Sequence, residues 1–312
     1  MDEIETRLKS KLGSGLKNNI VLKDHTSIGV GGVADYFFEA DTVEELMLAV
    51  NTAYLYKVPY FVLGGGYNIV PSDSGFPGLV IKNKTSNVVF AGDSSEVIVD
   101  SGVHLGRLIN LAAGRDLGGL EFLFGVPGTV GGAICGNAGA FNFEISDFVK
   151  SVTLLIPGND EIATTKYPAS WMNFSYRSSK IKRDYAAEPF PPVILTAKLQ
   201  LVQRRRDEIL KMMQENLRRK KETQPVGEKS AGSFFKNPAV DKAAAGYYLE
   251  QAGAKKMHVG GASFSKKHAN FLINSKNASA SDIRALANQA REAVKEKFDV
   301  DLKEEIEYIG RW

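Results

Sequence analysis

The sequence predicts an α+β protein of two or three domains, in which glycine-rich main chain closes on a large, partly anionic ligand. Its 312 residues exceed the roughly 250–300 at which single cores stop growing. Strand and helix patterns are mixed, and the last third reads as an α+β piece of its own. Six of the fifteen residues from Gly125 to Gly139 are glycine, against 30 in the whole chain. Leu63-Gly64-Gly65-Gly66-Tyr67-Asn68 forms a second run. Glycine reaches positive φ and admits close approach, and successive N–H groups can converge on an anion. Val126, Val130, Ala133 and Ile134 thread the longer run, whereas flexible linkers are polar.

The elements follow in order. The first twenty residues read as a short amphipathic helix, and Asp35 to Ala40 as an aromatic-rich strand. Thr42 and Glu45 form a capping box, continued at helical spacing by Leu46, Ala49, Val50 and Ala53. Tyr60 to Leu63 is a strand that ends on the first glycine run. Strand, helix, strand and glycine turn suggest a Rossmann fold, but no helix follows the turn and GxGxxG is absent from its proper setting. Strand-like Leu79–Lys82, Val88–Ala91 and Val97–Val103 come next, then a helix over Leu105 to Ala113. Val152–Ile156 and Val193–Leu201 are strands flanking a loop-like region. Asp207 to Arg219 is helical with Leu210, Met213 and Leu217 on one face, and Arg204–Arg206 and Arg218–Lys221 read as a solvated basic face. Ala245–Ala252 is a helix, Phe271–Asn274 a strand, and Ser281 caps a helix carrying Ile283, Leu286, Ala290 and Val294. Glu305–Ile309 is the last strand, with Ile306 and Tyr308 on one face. The expected divisions are 1–23 (helical segment), 24–203 and 204–312.

Composition is that of an ordinary globular protein, 44% hydrophobic and 24% charged. A net charge of +3 does not by itself imply nucleic acid and fits weakly with anionic ligands. No apolar stretch reaches the roughly 18 residues of a membrane span, and the N-terminus has no apolar signal core, so a cytoplasmic protein without membrane partners is expected. Cys135 stands alone and is expected to be a buried small residue. His25, His104, His258 and His268 have no metal-ligand spacing, so no metal is expected.

Three residues draw attention for chemistry. Ser233 follows glycine in Ser230-Ala-Gly-Ser-Phe-Phe-Lys-Asn-Pro238. It reads as a nucleophile needing a base, a positioned proton donor, or a turn serine bonding its own backbone. Arg177, in Asn173-Phe-Ser-Tyr-Arg-Ser-Ser179, is either a fork for a carboxylate or a surface arginine. Glu305 either orients a substrate and relays protons or lies on a charged edge strand.

Seven segments in register resemble the UDP-N-acetylenolpyruvoylglucosamine reductase (MurB) family. They are HTSIGVGGVADYF (25–37), LGGGYN (63–68), EFLFGVPGTVGGAICGNAGAF (121–141), SYRSS (175–179), SAGSFFKNP (230–238), VGGASFSKKHANFLIN (259–274) and EEIEYIG (304–310). The resemblance runs from about His25 to Gly310. It implies an FAD-binding domain of the vanillyl-alcohol-oxidase (PCMH) type and a C-terminal α+β substrate-binding domain. It implies non-covalent FAD reduced by NADPH. Hydride then passes from flavin N5 to an enolpyruvyl UDP-sugar, at the carbon β to its carboxylate, giving UDP-N-acetylmuramate for peptidoglycan.

By resemblance Arg177, Ser233 and Glu305 are catalytic, with Ser233 giving the proton to the α-carbon. Gly64, Gly65, Gly66, Tyr67, Asn68, Gly125, Pro127, Gly128, Thr129, Gly131, Gly132, Asn137, Ala138 and Gly139 would meet the cofactor. Tyr176, Lys236 and Asn237 would neighbour the substrate. A monomer is the expected state. Tyr67 stands where the family usually has serine, and Asn142 where glycine is common. Residues 178–192 offer no match to the substrate-closing tyrosine loop of the longer subfamily, so the shorter type II form is expected. Competing readings are a flavin oxidase of the same fold, which would need a different C-terminal domain, and a non-catalytic nucleotide-binding protein.

Overall fold

The computed structural model describes residues 3–92, 94–157, 162–239 and 242–312. The expected α+β class is the one observed. The chain divides into two compact units, each assembled from separated stretches: Met1–Asn18, Tyr36–Gly65 and Gly78–Arg218 in the first, Asn19–Asp35, Gly66–Pro77 and Arg219–Trp312 in the second.

The first unit has two apolar clusters. In one, helices Glu3–Leu12 and Val43–Leu55 bury Leu8, Leu12, Leu46, Ala49, Val50 and Ala53 with Tyr60, Leu79 and Ile81. Thr42 and Glu45 form the expected capping box. Tyr60–Leu63 pairs in parallel with Phe76–Asn83, Tyr60 opposite Leu79 and Leu63 opposite Lys82. The other cluster lies under an antiparallel sheet in the order Ile162–Pro168, Val149–Pro157, Val193–Gln200, Glu96–Asp100, Val88–Phe90. Helix Leu105–Ala113 has the predicted bounds and buries Leu105, Leu108, Ile109, Ala112 and Ala113 there.

In the second unit an antiparallel sheet runs Ser230–Ser233, Phe271–Asn274, Ala262–Phe264, His258–Val259. Helices Ala245–Gln251 and Ala280–Phe298 share its core, which holds Phe234, Phe235, Ile283, Leu286, Ala290 and Val294. Glu307–Ile309 pairs in parallel with Ile69–Pro71.

Several expectations need correction. The first helix ends at Leu12, and a 3₁₀ turn over Gly13–Gly15 leads into the strand Lys17–Val21. The strand read to Val103 ends at Asp100, because Gly102 is pressed against Thr85 and Asn83, where a Cβ would lie 2.5 Å from the Asn83 amide oxygen. The loop-like region holds the strand Ile162–Pro168, whose Ala-Thr-Thr-Lys stretch carries no apolar alternation. In the helix Arg206–Thr223, Ile209 and Met213 are buried while Leu210 is exposed. Arg204 is not part of a solvated face: it pairs with the buried Glu121 at 2.8 Å. Ser279, not Ser281, caps the helix Ala280–Phe298, its hydroxyl accepting from the Asp282 N–H at 3.0 Å. The last strand is shorter than expected, and Ile306 and Ile309 are both buried, so strict alternation does not hold there. Cys135 is half-buried rather than fully enclosed.

Candidate functional site

The two glycine-rich segments adjoin at one point of the first unit. Tyr60–Leu63 ends at Gly64, where a Cβ would stand 2.6 Å from the Thr129 hydroxyl oxygen. Lys82 Nζ donates to the Gly64 carbonyl at 2.6 Å. Burial lowers the pKa of this lysine, opposed by Glu39 and aided by Lys84. Thr129 caps a short helix, Val130–Cys135, inside the longer run, and its hydroxyl accepts from Gly132 N–H at 3.4 Å. The period of that helix is hidden in the sequence because glycines occupy its first turn.

The main-chain donors of the run fall into two groups. Val130 and Gly131 N–H donate to the carbonyls of Val103 and Ser101, each at 2.8 Å, so the protein itself uses them. The N–H groups of Gly125, Gly128 and Thr129 have no acceptor among the described residues. Gly128 has φ +147°, and a Cβ there would meet nothing nearer than 4.0 Å. Pro127, between these donors, is exposed and has no N–H to give. In the second unit the N–H groups of Gly66, Tyr67 and Asn68 likewise meet no acceptor among the described residues.

Arg177 occupies a tight turn in which Ser175 and Ser178 exchange two main-chain hydrogen bonds of 3.0 Å. Its φ is +53°, a left-handed conformation uncommon outside glycine and asparagine. The turn sends its side chain, 19% exposed, back to the end of the glycine run. There Nη2 donates to the Gly139 carbonyl at 2.5 Å and Nη1 to that of Asn137 at 3.5 Å, with Glu144 Oε1 4.0 Å from Nη1. The guanidinium carbon lies 5.0 Å from the centre of the exposed Tyr176 ring.

Asn137, fully buried at φ +45°, ties this cluster together. Its Nδ2 donates to Glu144 Oε2 at 2.7 Å and to the Ser175 carbonyl at 3.0 Å, and its Oδ1 accepts from Ser146 N–H. Its own N–H donates to Ile134, and that of Ala138 to Ala133. Asn137 therefore spends its polar groups within the protein. Gly139 pairs with Glu144 in a short hairpin, and a Cβ on it would overlap the Phe143 carbonyl and come within 2.8 Å of Arg177 Nη1. Lys82 and Glu144 were not singled out from the sequence. A lysine inside the apolar Leu79-Val-Ile-Lys82 run was the only hint of either.

In the second unit Ser233 ends the strand Ser230–Ser233 opposite Phe271. Gly232 precedes it at φ +82°, and Gly232 N–H donates to the Ser230 hydroxyl at 3.1 Å. The self-bonding turn serine is thus Ser230. The half-buried Ser233 hydroxyl makes no hydrogen bond among the described residues. Phe234 and Phe235, both buried, anchor the backbone beside it. Glu305 N–H donates to the Phe234 carbonyl and Lys236 N–H to that of Lys303, each at 2.8 Å, so residues 303–305 run alongside 234–236. Asn68 Nδ2 donates to the Glu305 carbonyl at 3.1 Å. Ser233, Lys236, Glu305 and Asn68 are therefore brought together. Asn237 Oδ1 accepts from Ala245 N–H at 3.0 Å at the start of the next helix.

Comparison with known proteins gives a consistent result. Residues 224–309 match the family model of the UDP-N-acetylenolpyruvoylglucosamine reductase C-terminal domain, and residues 34–165 match that of an FAD binding domain. The UDP-N-acetylenolpyruvoylglucosamine reductase of Clostridium novyi (strain NT) is 40% identical over 99% of this chain and 97% of its own length. That of Bacillus subtilis (strain 168) is 34% identical over 99% of both. The crystal structure of the Thermus caldophilus UDP-N-acetylenolpyruvylglucosamine reductase (MurB) superposes with a TM-score of 0.77 at 32% identity, covering 94% of this chain and 99% of that one.

Proposed function

Because the chain belongs to the UDP-N-acetylenolpyruvoylglucosamine reductase family, we propose that it reduces UDP-N-acetylglucosamine enolpyruvate to UDP-N-acetylmuramate, a peptidoglycan precursor, with FAD and NADPH. Cofactor binding is assigned to residues 24–203 and substrate binding principally to 204–312, in keeping with the two family matches. The enzyme acts as a cytoplasmic monomer in this reading. Among the described residues no helix is long and apolar enough to cross a membrane.

The chain's residues fit the cofactor. The amides of Gly125, Gly128 and Thr129, which meet no acceptor among the described residues, lie on backbone open for lack of a side chain at Gly128 and suit a diphosphate. Bound FAD would supply the hydride. Arg177 grips the substrate carboxylate through its planar fork and stabilises the negative charge that develops there after hydride addition. Glu305 organises that end of the substrate. Ser233 donates a proton to the α-carbon, a contribution of about 10²–10⁴-fold. One observation carries this role: its hydroxyl makes no hydrogen bond among the described residues, while Ser230 takes the local backbone bond. Tyr176, Lys236 and Asn237 are assigned to substrate contacts.

The test separates the half-reactions. Anaerobic NADPH should bleach the visible flavin band, and UDP-N-acetylglucosamine enolpyruvate should restore it. Ser233→Ala should bleach normally and recover slower by about 10²-fold or more. Recovery within about tenfold of wild type would remove Ser233 as the proton donor. Bleaching without recovery in the unmodified protein would keep the flavin and reject the substrate.

A further inference from the structure

We infer that Glu144 is a positioning residue for Arg177. The inference rests on the proposed role of Arg177 as the carboxylate-binding group. A bidentate grip depends on the plane and direction of the guanidinium, so whatever fixes that plane governs the grip. On the protein side it donates to the carbonyls of Gly139 and Asn137, and the Glu144 carboxylate lies 4.0 Å from Nη1. The two carbonyls belong to main chain. Glu144 contributes a charge, and it is itself held. Asn137 Nδ2 grips its Oε2 at 2.7 Å, and Glu144 N–H donates to Asp147 Oδ2 at 3.0 Å.

The same Asn137 amide also holds the Ser175 carbonyl, at the base of the turn that carries Arg177. One buried side chain thus fixes both the anion and the turn. Glycine at 139 leaves the space in which the guanidinium and the Glu144 side chain lie, since a Cβ there would stand 2.8 Å from Nη1 and 3.1 Å from Glu144 Cγ.

Glu144→Gln tests the inference because it keeps the size and an acceptor for Asn137 while removing the charge. Flavin bleaching by NADPH should stay within about twofold of wild type, and recovery with the enolpyruvyl substrate should slow at least tenfold. UDP-N-acetylmuramate, which carries the carboxylate, should bind at least fivefold more weakly by calorimetry. UDP-N-acetylglucosamine, which lacks it, should bind as to wild type. A purely structural role for Glu144 would move both ligands together, and that result overturns the inference, as does recovery within twofold of wild type. If Glu144→Gln does not fold, Glu144→Asp, which keeps the charge but draws it back from Arg177, should give the same carboxylate-specific loss. Equal loss for both ligands in that variant also overturns the inference. Wild-type flavin that the enolpyruvyl substrate fails to restore overturns the underlying role of Arg177 instead, and the inference falls with it.

Discussion

Arg204 shows how a single charge can depart from the run it belongs to. Arg205, one residue on, makes an exposed pair with Asp207 at 2.8 Å, as a solvated basic face would. Arg204 instead reaches Glu121 at 2.8 Å, whose side chain is 2% exposed and whose second oxygen accepts from Gly119 N–H at 2.7 Å. Gly118 makes room, since a Cβ there would lie 2.4 Å from Glu121 Oε1. Removing one partner of such a pair strands a desolvated charge. Arg204→Ala should therefore cost about 3 kcal/mol in urea unfolding. Glu121→Gln, which keeps an acceptor, should cost less. A loss below about 0.5 kcal/mol for Arg204→Ala would make the pair equivalent to a surface contact. The partners are far apart in sequence and no periodicity links them, which is why composition placed Arg204 in solvent.

The helix Ala280–Phe298 gathers its N-terminal donors from two sources. Ser279 and Asp282 form a capping box, and Asp73 accepts from Ala280 N–H and Ser281 N–H, both at 2.8 Å, and from the Ser281 hydroxyl at 2.7 Å. Burial pushes the Asp73 pKa up, but these hydrogen bonds outweigh it and hold the carboxyl below its ordinary value. A depressed folded-state pKa stabilises the fold above the unfolded value and loses that contribution as pH falls through the folded one. Stability should therefore drop in acid below about pH 4, and Asp73→Asn should flatten that drop while lowering stability at neutral pH. An unchanged acid limb in Asp73→Asn would remove Asp73 as its source. Regular periodicity made this helix legible, as it did Leu105–Ala113 and the helix capped by Thr42. It failed where residues without apolar contrast form the element, as in Val130–Cys135 and Ile162–Pro168. Ser233, Arg177 and Glu305 carried no such signal. Each was ambiguous by itself, and only the assembled segments in their order assigned them roles. Glu144 and Asn137 meet Arg177 through a turn and a hairpin, whose positive-φ residues leave no periodic mark.

At the scale of the whole molecule, each unit has apolar clusters of its own, and the two tryptophans divide between the units. Trp171, in the first, lies 4.6 Å from Tyr167 and 4.7 Å from the Lys180 ammonium by ring centre. Trp312, in the second, lies 4.8 Å from Tyr308 and donates from Nε1 to the Ile309 carbonyl at 3.1 Å. Separate cores are the usual reason a chain of this length departs from two-state unfolding. Trp312→Phe leaves Trp171 as the reporter of the first unit, and Trp171→Phe leaves Trp312 as that of the second. Arg204→Ala acts in the first unit, so it should lower the urea midpoint read by Trp171 and move the midpoint read by Trp312 by less than half as much. Ser279→Ala, which removes a helix cap in the second unit at a cost of about 1 kcal/mol, should show the opposite bias. If each variant shifts both midpoints equally, the units unfold as one, and their apolar clusters are a single cooperative structure despite their separate side chains.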